Sequence, residues 1–300
     1  MTKLPTYVLI TPARNEAQYI ELTLKSVTAQ SALPLKWVIV SDGSTDGTDE
    51  IVGRYAADRP WIELVRLPER KERDFAAKVR AFNSGYERLA GLQFDVVGNL
   101  DADVSFDDGY FAFMMNAFAA NPHLGVGGTA FVEHGRQYNY QFTNIEHVSG
   151  QIQLFRRACF EEIGGYQPRK AGGIDWVAVT TARMKGWNTR TFPEKLFEHH
   201  RKMSTATQSA LMVPLKGGQK DHALGNHPLW EFFRCLYQVP QPPILIGGGM
   251  RFAGFLWAMV LHRDQQVSQE LVEFTRKEQM KRLWKLISRF IRPVPPQAQS

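Results

Sequence analysis

The segment that most constrains the fold is a short apolar run, 94–104, that carries two aspartates at its end. Runs of this length are typical of buried parallel strands, which deliver polar residues to the sheet edge where open α/β proteins bind ligands. The two-residue period of a strand predicts that Asp101 and Asp103 lie on the same side. Carboxylates at this spacing suit a divalent cation, and Mg²⁺ is usually shared between carboxylates and substrate phosphates. The plain alternative is an Asp-rich turn after a strand.

The same order of strand, polar loop and helix occurs upstream. Apolar runs at 7–11 and 36–41 predict two strands, and the first is followed by a helix with Ile20, Leu24 and Val27 on one face. A third strand is predicted over 62–67 and a helix over 74–89. Strands that alternate with helices predict an α/β protein with a mostly parallel central sheet and right-handed crossovers.

Composition favours a globular protein with an anionic partner. The 300 residues are 44% hydrophobic, and 36 Lys and Arg against 30 Asp and Glu give a net charge of +6. Phosphate-bearing ligands, nucleic acid and acidic membranes all suit this balance. The two cysteines, Cys159 and Cys235, form neither a disulfide framework nor a zinc motif and favour a reducing cytosol. We expect no cleavable signal peptide, because the N-terminus leads directly into a strand.

The loops after the first two strands carry the next candidates. Asp42 is held by an Asp-Gly turn at a strand end, where a carboxylate can accept the ring N–H of a pyrimidine base. Its alternative role is turn formation, and Asp46 or Thr48 can cap the next helix. The first loop, 12–16, contains no glycine. A dinucleotide site of the Gly-x-Gly-x-x-Gly type is therefore disfavoured.

Taken together, these loops resemble the nucleotide-binding half of family 2 glycosyltransferases, which have the GT-A fold. The resemblance rests on Pro12, Asn15 and Glu16 after strand one, Asp42-Gly43-Ser44 after strand two, Asn83 and Gly85 in the third helix, and Leu100-Asp101-Ala102-Asp103 after strand four. It covers about the first 110 residues. It implies a nucleotide-sugar site formed by Pro12, Arg14, Asn15, Glu16, Asp42, Lys78, Asn83, Asp101 and Ala102. It also implies a divalent cation, Mg²⁺ or Mn²⁺, on Asp101 and Asp103.

Asp175 resembles the catalytic base of this family, at the start of a helix predicted to end near Gly186. The family's usual Glu-Asp pair is Ile174-Asp175 here, which removes the first acid, while Arg183 and Gly186 match the pattern. A positioned carboxylate that takes the proton of a sugar hydroxyl is worth roughly 10²–10⁴-fold in rate. The alternative role for Asp175 is a helix N-cap.

Two adjacent histidines follow a strand predicted near 188–192. Neighbouring strand residues point to opposite faces, so at most one of His199 and His200 is expected to reach the cation, and His200 is the preferred ligand. Arg201 and Lys202 are placed to neutralise a departing diphosphate, with a solvated basic turn as the alternative. The irregular segment 134–147 is predicted to shape an acceptor pocket.

The last third of the sequence predicts helices and a membrane surface. Segment 244–261 is nearly uncharged, but Arg251 and three glycines favour a buried or interfacial helix over a membrane span. The final helix places Met280, Leu283, Trp284, Ile287, Phe290 and Ile291 in one arc and basic residues around the rest. That pattern is typical of an in-plane anchor on an anionic leaflet, and its alternative is a helix docked on the core.

The sequence therefore predicts an α/β, GT-A catalytic domain over 1–205, with a nucleotide-sugar half (1–110) and an acceptor half (111–205), and a helical extension over 206–300. The resemblance implies an inverting, metal-dependent transfer of a sugar from a nucleotide-diphosphate donor to a hydroxyl acceptor. The basic final helix predicts a position at the inner face of the membrane and accounts for the positive charge without nucleic acid. That position suggests a saccharide or lipid-linked saccharide acceptor, as in bacterial exopolysaccharide or cell-envelope synthesis. Processive members carry Gln-x-x-Arg-Trp and spanning helices, which we do not find, so a single transfer is expected. The rivals are a sugar-1-phosphate nucleotidylyltransferase and a non-catalytic nucleotide-sugar-binding scaffold at a membrane assembly site.

Overall fold

The computed structural model describes residues 4–69, 75–133, 135–137, 145–169, 172–201, 212–238 and 246–291. It divides into two compact units, Met1–Ser204 and Thr205–Ser300. Segment 134–147, the predicted acceptor loop, lies mostly outside the described residues, as does Lys202.

The first unit alternates strands and helices, as the sequence pattern predicts. Its elements in chain order are β1 (Tyr7–Ala13), α1 (Ile20–Thr28), β2 (Lys36–Asp42), α2 (Thr48–Ala57), β3 (Ile62–Leu67), α3 (Phe75–Glu87), β4 (Val96–Leu100), β5 (Val104–Ser105), α4 (Tyr110–Ala120), β6 (Leu124–Glu133), β7 (Arg136–Gln137), β8 (Ile152–Arg156), α5 (Arg157–Glu162), α6 (Ile174–Met184) and β9 (Asn188–His199).

Within the described residues these strands form one sheet in the order β3-β2-β1-β4-β8-β6-β9-β5, with β7 paired to β6. The strands β3, β2, β1 and β4 run parallel, as predicted. The other half is mixed, because β8 is antiparallel to β4 and β6 while β6 and β9 are parallel. The parallel half brings the carboxyl ends of β1, β2 and β4 to one edge, which confirms the predicted α/β fold class.

The core lies on both faces of the sheet. Successive residues of β1 alternate between them: Leu9 packs with α1 and α4 residues, whereas Val8 and Ile10 pack with α3 residues. Two-sided burial is the reason that the strands are continuous Val- and Ile-rich runs. Gly85 of α3 lies so close to β1 that a Cβ atom there would be 2.7 Å from Ile10 Cγ2. This close helix-to-sheet contact accounts for the glycine.

Local contacts set the boundaries of two elements. Helix α4 begins at Tyr110, because the backbone N–H of Gly109 donates to Asp107 Oδ1 (3.0 Å) in a turn that precedes it. The strand predicted near 188–192 continues to His199. It passes an irregularity where Thr129 and Ala130 of β6 face Phe192 and Leu196. Pro193 interrupts the sequence pattern there without ending the strand.

The second unit is helical over its described residues, with α7 (Met212–Ala223), α8 (Pro228–Gln238), α9 (Ile246–Val260) and α10 (Gln269–Ile291). Helices α7 and α9 cross with backbones in contact, because a Cβ atom on Gly218 would lie 1.8 Å from the Arg251 carbonyl oxygen. Arg251 pairs with Asp221 (Nη2 to Oδ2, 2.6 Å) and Glu231 (Nε to Oε1, 3.2 Å). These ion pairs hold the charge of α9 inside the unit, which is a physical reason for the predicted preference for a buried or interfacial helix over a span.

None of the helices in the described part of the chain is long and apolar enough to cross a membrane. In α10 the predicted apolar arc is divided: Leu283 is buried and Trp284 is 69% exposed. Further buried positions at Leu271, Val272, Thr275 and Gln279 show that α10 also packs on the rest of its unit.

Candidate functional site

The loops after β1 and β2 are hydrogen-bonded to each other through Asn15. Its backbone N–H donates to Ser44 Oγ (3.1 Å), and its Oδ1 accepts from the Thr45 backbone N–H (2.9 Å). Asn15 adopts φ 55°, a left-handed conformation that Asn tolerates better than most residues. Its side chain thus joins the two loops and is not among those that line the cavity described below.

Asp42 ends β2 as a buried carboxylate, 4% exposed. Its Oδ2 lies 3.8 Å from Arg14 Nη1, so a cation from the first loop faces an anion from the second. The turn that follows requires glycine, since Gly43 has φ 69° and a Cβ atom there would lie 2.6 Å from the Glu69 Cα atom.

Asp101 follows β4 and is held by a lysine from α3. Lys78 Nζ donates to Asp101 Oδ1 (2.6 Å), and Asn99 Nδ2 reaches the same oxygen at 3.4 Å. Burial raises the pKa of Asp101 by more than Lys78 lowers it. Burial lowers the pKa of Lys78, but Asp101, Asp175 and Asp103 together raise it by more, so the lysine is held as a cation.

Asp103 lies among donors from the end of β9. Its Oδ2 is 3.6 Å from His199 Nε2 and 3.2 Å from Arg201 Nε. Although burial opposes ionisation, His199 and Arg201 lower the pKa of Asp103. Burial lowers the pKa of His199, but nearby carboxylates, Asp103 foremost, raise it overall. Asp103 is therefore the more acidic of the two aspartates.

Arg201 joins the first loop to this cluster, because its Nη2 donates to Glu16 Oε2 while its Nε donates to Asp103. Burial raises the pKa of Glu16 to about 7, and Arg201 only partly offsets that effect. A glutamate and an arginine from opposite ends of the first unit thus meet at the sheet edge.

The structure places His199, and not the His200 preferred from the sequence, beside the acids. Val104 of β5 pairs with His199, and this register directs the His199 ring towards Asp103. The His200 ring takes the opposite side, with Nε2 2.8 Å from Ser105 Oγ and the ring stacked on Tyr19. The expectation that only one of the two reaches the acids agrees with this geometry.

Asp175 is the second residue of α6, behind a Gly173 N-cap in the left-handed conformation. The helix has no side-chain cap bond, so capping is not the role of Asp175. Its carboxylate lies against Gly150, where a Cβ atom would be 2.9 Å from Asp175 Oδ2. The Gly150 carbonyl accepts from Asn99 Nδ2 (2.8 Å), the same amide that approaches Asp101. Asp175 and Asp101 are therefore neighbours across Asn99 and Gly150.

An open cavity of about 330 Å³ collects most of the predicted residues. Its lining consists of Pro12, Ala13, Arg14, Glu16, Asp42, Ala77, Lys78, Ala81, Asp101, Ala102, Asp103 and Arg201. Four predicted residues are not part of that lining. Asn15 joins two loops, Asp175 lies beside Gly150, His200 bonds Ser105, and Asn83 is exposed on α3.

Sequence reasoning missed four contributors to the site: Ala13, Ala77, Ala81 and Asn99. Asn99 is a buried amide, 1% exposed, and its polar side chain within an apolar strand was a usable signal. Ala77 and Ala81 line the cavity with small side chains one helical turn apart, and nothing in their sequence distinguishes them from other helix alanines.

A divalent cation fits the chemistry of the donor set. Among the described residues, no three His, Cys, Asp or Glu side chains are grouped closely enough to hold a metal ion by themselves. Asp103 and His199 nevertheless offer an oxygen and a nitrogen ligand, with Asp101 two residues away. Mg²⁺ and Mn²⁺ commonly take their remaining ligands from substrate phosphates and water, so an incomplete protein set is the expected arrangement.

The fold and the position of this cavity define an α/β protein with the GT-A fold. The sequence profile described as "Glycosyl transferase family 2" matches residues 8–170, and the chain belongs to that family. The matched segment includes every residue that lines the cavity except Arg201.

Curated relatives include two staphylococcal proteins named poly-beta-1,6-N-acetyl-D-glucosamine synthase. The one from Staphylococcus epidermidis is 25% identical over 170 residues, and the one from Staphylococcus aureus (strain COL) is 29% identical over 170 residues. Each match covers 50% of this chain and 39% of the relative, so the chain spans about two fifths of the length of these relatives.

Solved structures support the fold. The mannosyltransferase PcManGT from Pyrobaculum calidifontis, solved with GDP-Man and Mn²⁺, has a TM-score of 0.57 and 20% identity, covering 97% of this chain and 82% of that one. Residues 1–349 of TarS from S. aureus give a TM-score of 0.55 and 16% identity, covering 97% and 81%. The same TarS region with UDP-GlcNAc gives 0.54 and 14%, covering 90% and 78%.

Proposed function

We propose that this chain transfers a sugar from a nucleotide-diphosphate sugar to a hydroxyl acceptor, with the first unit as the catalytic domain. The observation that carries the proposal is the single cavity in which Asp42, Lys78 and the Asp101–Asp103 pair meet. A carboxylate at one loop suits a nucleobase, and cations next to acids suit a diphosphate. The family membership supports the same activity.

The nucleoside is assigned to the loops after β1 and β2. Asp42 is buried and paired with Arg14, so its carboxylate is oriented before a ligand arrives. Pro12 and Glu16 line the adjoining wall, and Asn15 fixes the relative position of both loops. GDP-Man and UDP-GlcNAc are present in the related solved structures, and both donors carry a base with a ring N–H that Asp42 could accept.

The diphosphate is assigned to the end of β4. Lys78 and Arg201 supply positive charge there, and Asp101, Asp103 and His199 would hold a Mg²⁺ or Mn²⁺ ion together with phosphate oxygens. A bound cation would supply charge stabilisation for the departing nucleoside diphosphate. Donor binding would then displace Arg201 from its pairs with Glu16 and Asp103, freeing the guanidinium for the phosphates.

Asp175 is assigned the proton transfer. Its carboxylate lies beside Gly150, and Asn99 connects that glycine to Asp101. It is the second residue of α6, whose N-cap is a glycine. In an inverting reaction the acceptor oxygen attacks the anomeric carbon from the side opposite the leaving diphosphate, and its proton passes to this carboxylate. The missing first acid at Ile174 leaves Asp175 as the sole carboxylate of that motif.

The acceptor is assigned to a saccharide, and its source to a lipid-linked chain at the inner face of a membrane. The named relatives are polysaccharide synthases, which supports an acceptor of the cell-envelope class. All of the net charge of +6 falls in residues 205–300, which hold twelve Lys and Arg and six Asp and Glu, leaving 24 of each in residues 1–204. Such a charge distribution suits a peripheral position on anionic lipid.

Asp175→Asn tests the proposal. Donor affinity should be retained, because the side chain lies outside the donor cavity, while turnover with an acceptor falls by roughly 10²–10⁴-fold. Nucleoside diphosphate release and donor calorimetry measure the two effects separately. Asp58→Asn, at an exposed helix end, is the matched control. Unchanged turnover in Asp175→Asn would remove this residue from the mechanism, whereas donor binding without turnover in the unmodified chain would favour a non-catalytic binding role.

A further inference from the structure

Helix α8 is an amphipathic helix whose apolar side faces solvent and whose polar side faces the interior of its unit. Among the side chains of this helix that the structure describes, the exposed ones are apolar, each between 39% and 49% exposed: Leu229, Phe232, Phe233, Leu236 and Tyr237. At 100° per residue these five positions fall within an arc of about 140°. The opposite side carries Glu231, Arg234 and Cys235, and Glu231 is 0% exposed. A helix in water normally shows the reverse arrangement.

The polar side of α8 is occupied by an ion cluster inside its own unit. Glu231 contacts Arg251 (3.2 Å) and Arg234 (3.3 Å), and both arginines also pair with Asp221. Asn226 Nδ2 adds a bond to Glu231 Oε2 at 3.2 Å. This cluster fixes the rotation of α8, so the apolar side cannot turn inward without breaking buried ion pairs.

Helix α9 continues the same surface. Its one charged residue, Arg251, points into the cluster, and its exposed side carries Ile246, Trp257 and Val260, which are 51%, 60% and 70% exposed. Phe232 of α8 and Phe252 of α9 are in edge contact with ring centroids 5.6 Å apart, so the two exposed sides adjoin. We call the exposed apolar residues of these two helices the α8–α9 face.

We infer that the α8–α9 face lies in the plane of an anionic lipid bilayer, embedded at the level of the headgroups. The inference deepens the membrane location in the proposed function and rests on it. Charged residues that point inward while aromatic and aliphatic ones point outward are typical of helices that meet lipid. The fifteen residues of α9 extend only about 22 Å, which is shorter than a bilayer core, so the helix lies along the surface.

The charge of the second unit identifies the lipid. Residues 205–300 carry the full net charge of +6, and Lys277, Lys281 and Lys285 of α10 are exposed. Net positive charge in the unit that carries the apolar face favours an anionic leaflet over a neutral one and over a basic or neutral protein surface. This assigns the main anchor to α8 and α9, whereas the sequence pattern had assigned it to α10.

Vesicle flotation of the full chain tests the inference without any donor or acceptor. We expect binding to phosphatidylcholine vesicles that contain phosphatidylglycerol, and much weaker binding to phosphatidylcholine alone. The double substitution Phe233→Gln with Trp257→Gln should weaken partitioning at least about tenfold, since each native side chain would bury a large aromatic group in the bilayer. Both positions are exposed, so the fold should be retained, as circular dichroism melting would show.

Two control variants make the test specific. Leu33→Gln with Leu35→Gln removes exposed apolar side chains from the first unit, and Trp284→Gln removes the exposed tryptophan of α10. Both should bind vesicles nearly as the unmodified chain does.

The inference is overturned by equal binding to both vesicle types, by an unaffected double variant, or by a larger loss in Trp284→Gln. It is also overturned if no vesicle binding occurs, including where sedimentation shows that the face joins two copies. Donor affinity of the double variant without vesicles should be unchanged, so a failed donor site would be recognised separately.

Discussion

Arg201 contacts two carboxylates that are 87 positions apart in sequence, Glu16 and Asp103. Because the guanidinium satisfies only part of the cost of burying Glu16, the pKa of Glu16 rises from 4.5 to about 7. The raised pKa of Glu16 therefore makes the stability of the folded chain depend on pH.

This shift predicts a specific pH dependence. In the unfolded chain Glu16 titrates near 4.5, so between about 4.5 and 7 the native state binds the extra proton, and stability falls as pH rises through that window. Glu16→Gln removes the titration. Urea unfolding at several pH values should show that the unmodified chain loses up to about 1.4 kcal/mol per pH unit relative to the variant, and that the difference is constant above the window. Parallel curves for the two proteins would contradict the raised pKa.

At the scale of single elements, the contact of α3 with β1 positions Lys78. Gly85 permits the helix to approach the sheet, and the same helix carries Ala77 and Ala81 along the cavity wall. Small residues on α3 therefore serve both the core and the site.

A pair of glycine substitutions tests this contact. Gly85→Ala places a Cβ atom 2.7 Å from Ile10 Cγ2 and 3.0 Å from Val40 Cγ2, so overpacking outweighs the gain in helix propensity and the free energy of unfolding falls by about 1–2 kcal/mol. Gly53→Ala in α2 meets no atom within 4 Å and should instead stabilise by up to about 1 kcal/mol. Denaturant midpoints distinguish the two signs. Stabilisation by both substitutions would mean that the contact between α3 and the sheet accommodates a Cβ atom at position 85.

The ion cluster determines how the helices of the second unit pack. Arg251→Met keeps the volume but leaves Asp221 and Glu231 short of a cation, which should cost about 3–5 kcal/mol. Adding Glu231→Gln to that variant should restore part of the loss, because the buried carboxylate is then neutral. Arg263→Met, at an exposed position beyond α9, is the control. If Arg251→Met and Arg263→Met unfold alike, the cluster does not determine the arrangement of α8 and α9.

At the scale of the whole chain, local sequence patterns were sufficient for most of the fold. The runs that form β1 and β2 are rich in β-branched residues and are buried on both faces, and α1 buries the predicted Ile20, Leu24 and Val27. Strand ends are local features as well, so the loops that carry Asp42 and Asp101 were placed correctly at one edge.

What sequence could not provide depends on register and on partners distant in the chain. Whether His199 or His200 reaches Asp103 is decided by the pairing of β9 with β5 and β6, which adjacent positions in sequence do not reveal. The apolar periodicity of α8 was visible, but only the partners of Glu231 and Arg234 show that its apolar side faces outward. Asn83 matches the family motif and is nevertheless exposed on α3.

We propose that the cavity formed by the ends of β1, β2 and β4 binds a nucleoside diphosphate with a divalent cation. Thermal unfolding of the full chain with UDP, GDP and dTDP, each with and without Mn²⁺, measures this directly. We predict that one nucleotide stabilises the chain by about 2.7 kcal/mol at a hundredfold excess over its dissociation constant. Stabilisation should require Mn²⁺ and be lost in Asp42→Asn and Asp103→Asn. Equal melting temperatures with and without every nucleotide, or stabilisation that both variants retain, would show that this cavity is not the nucleotide site.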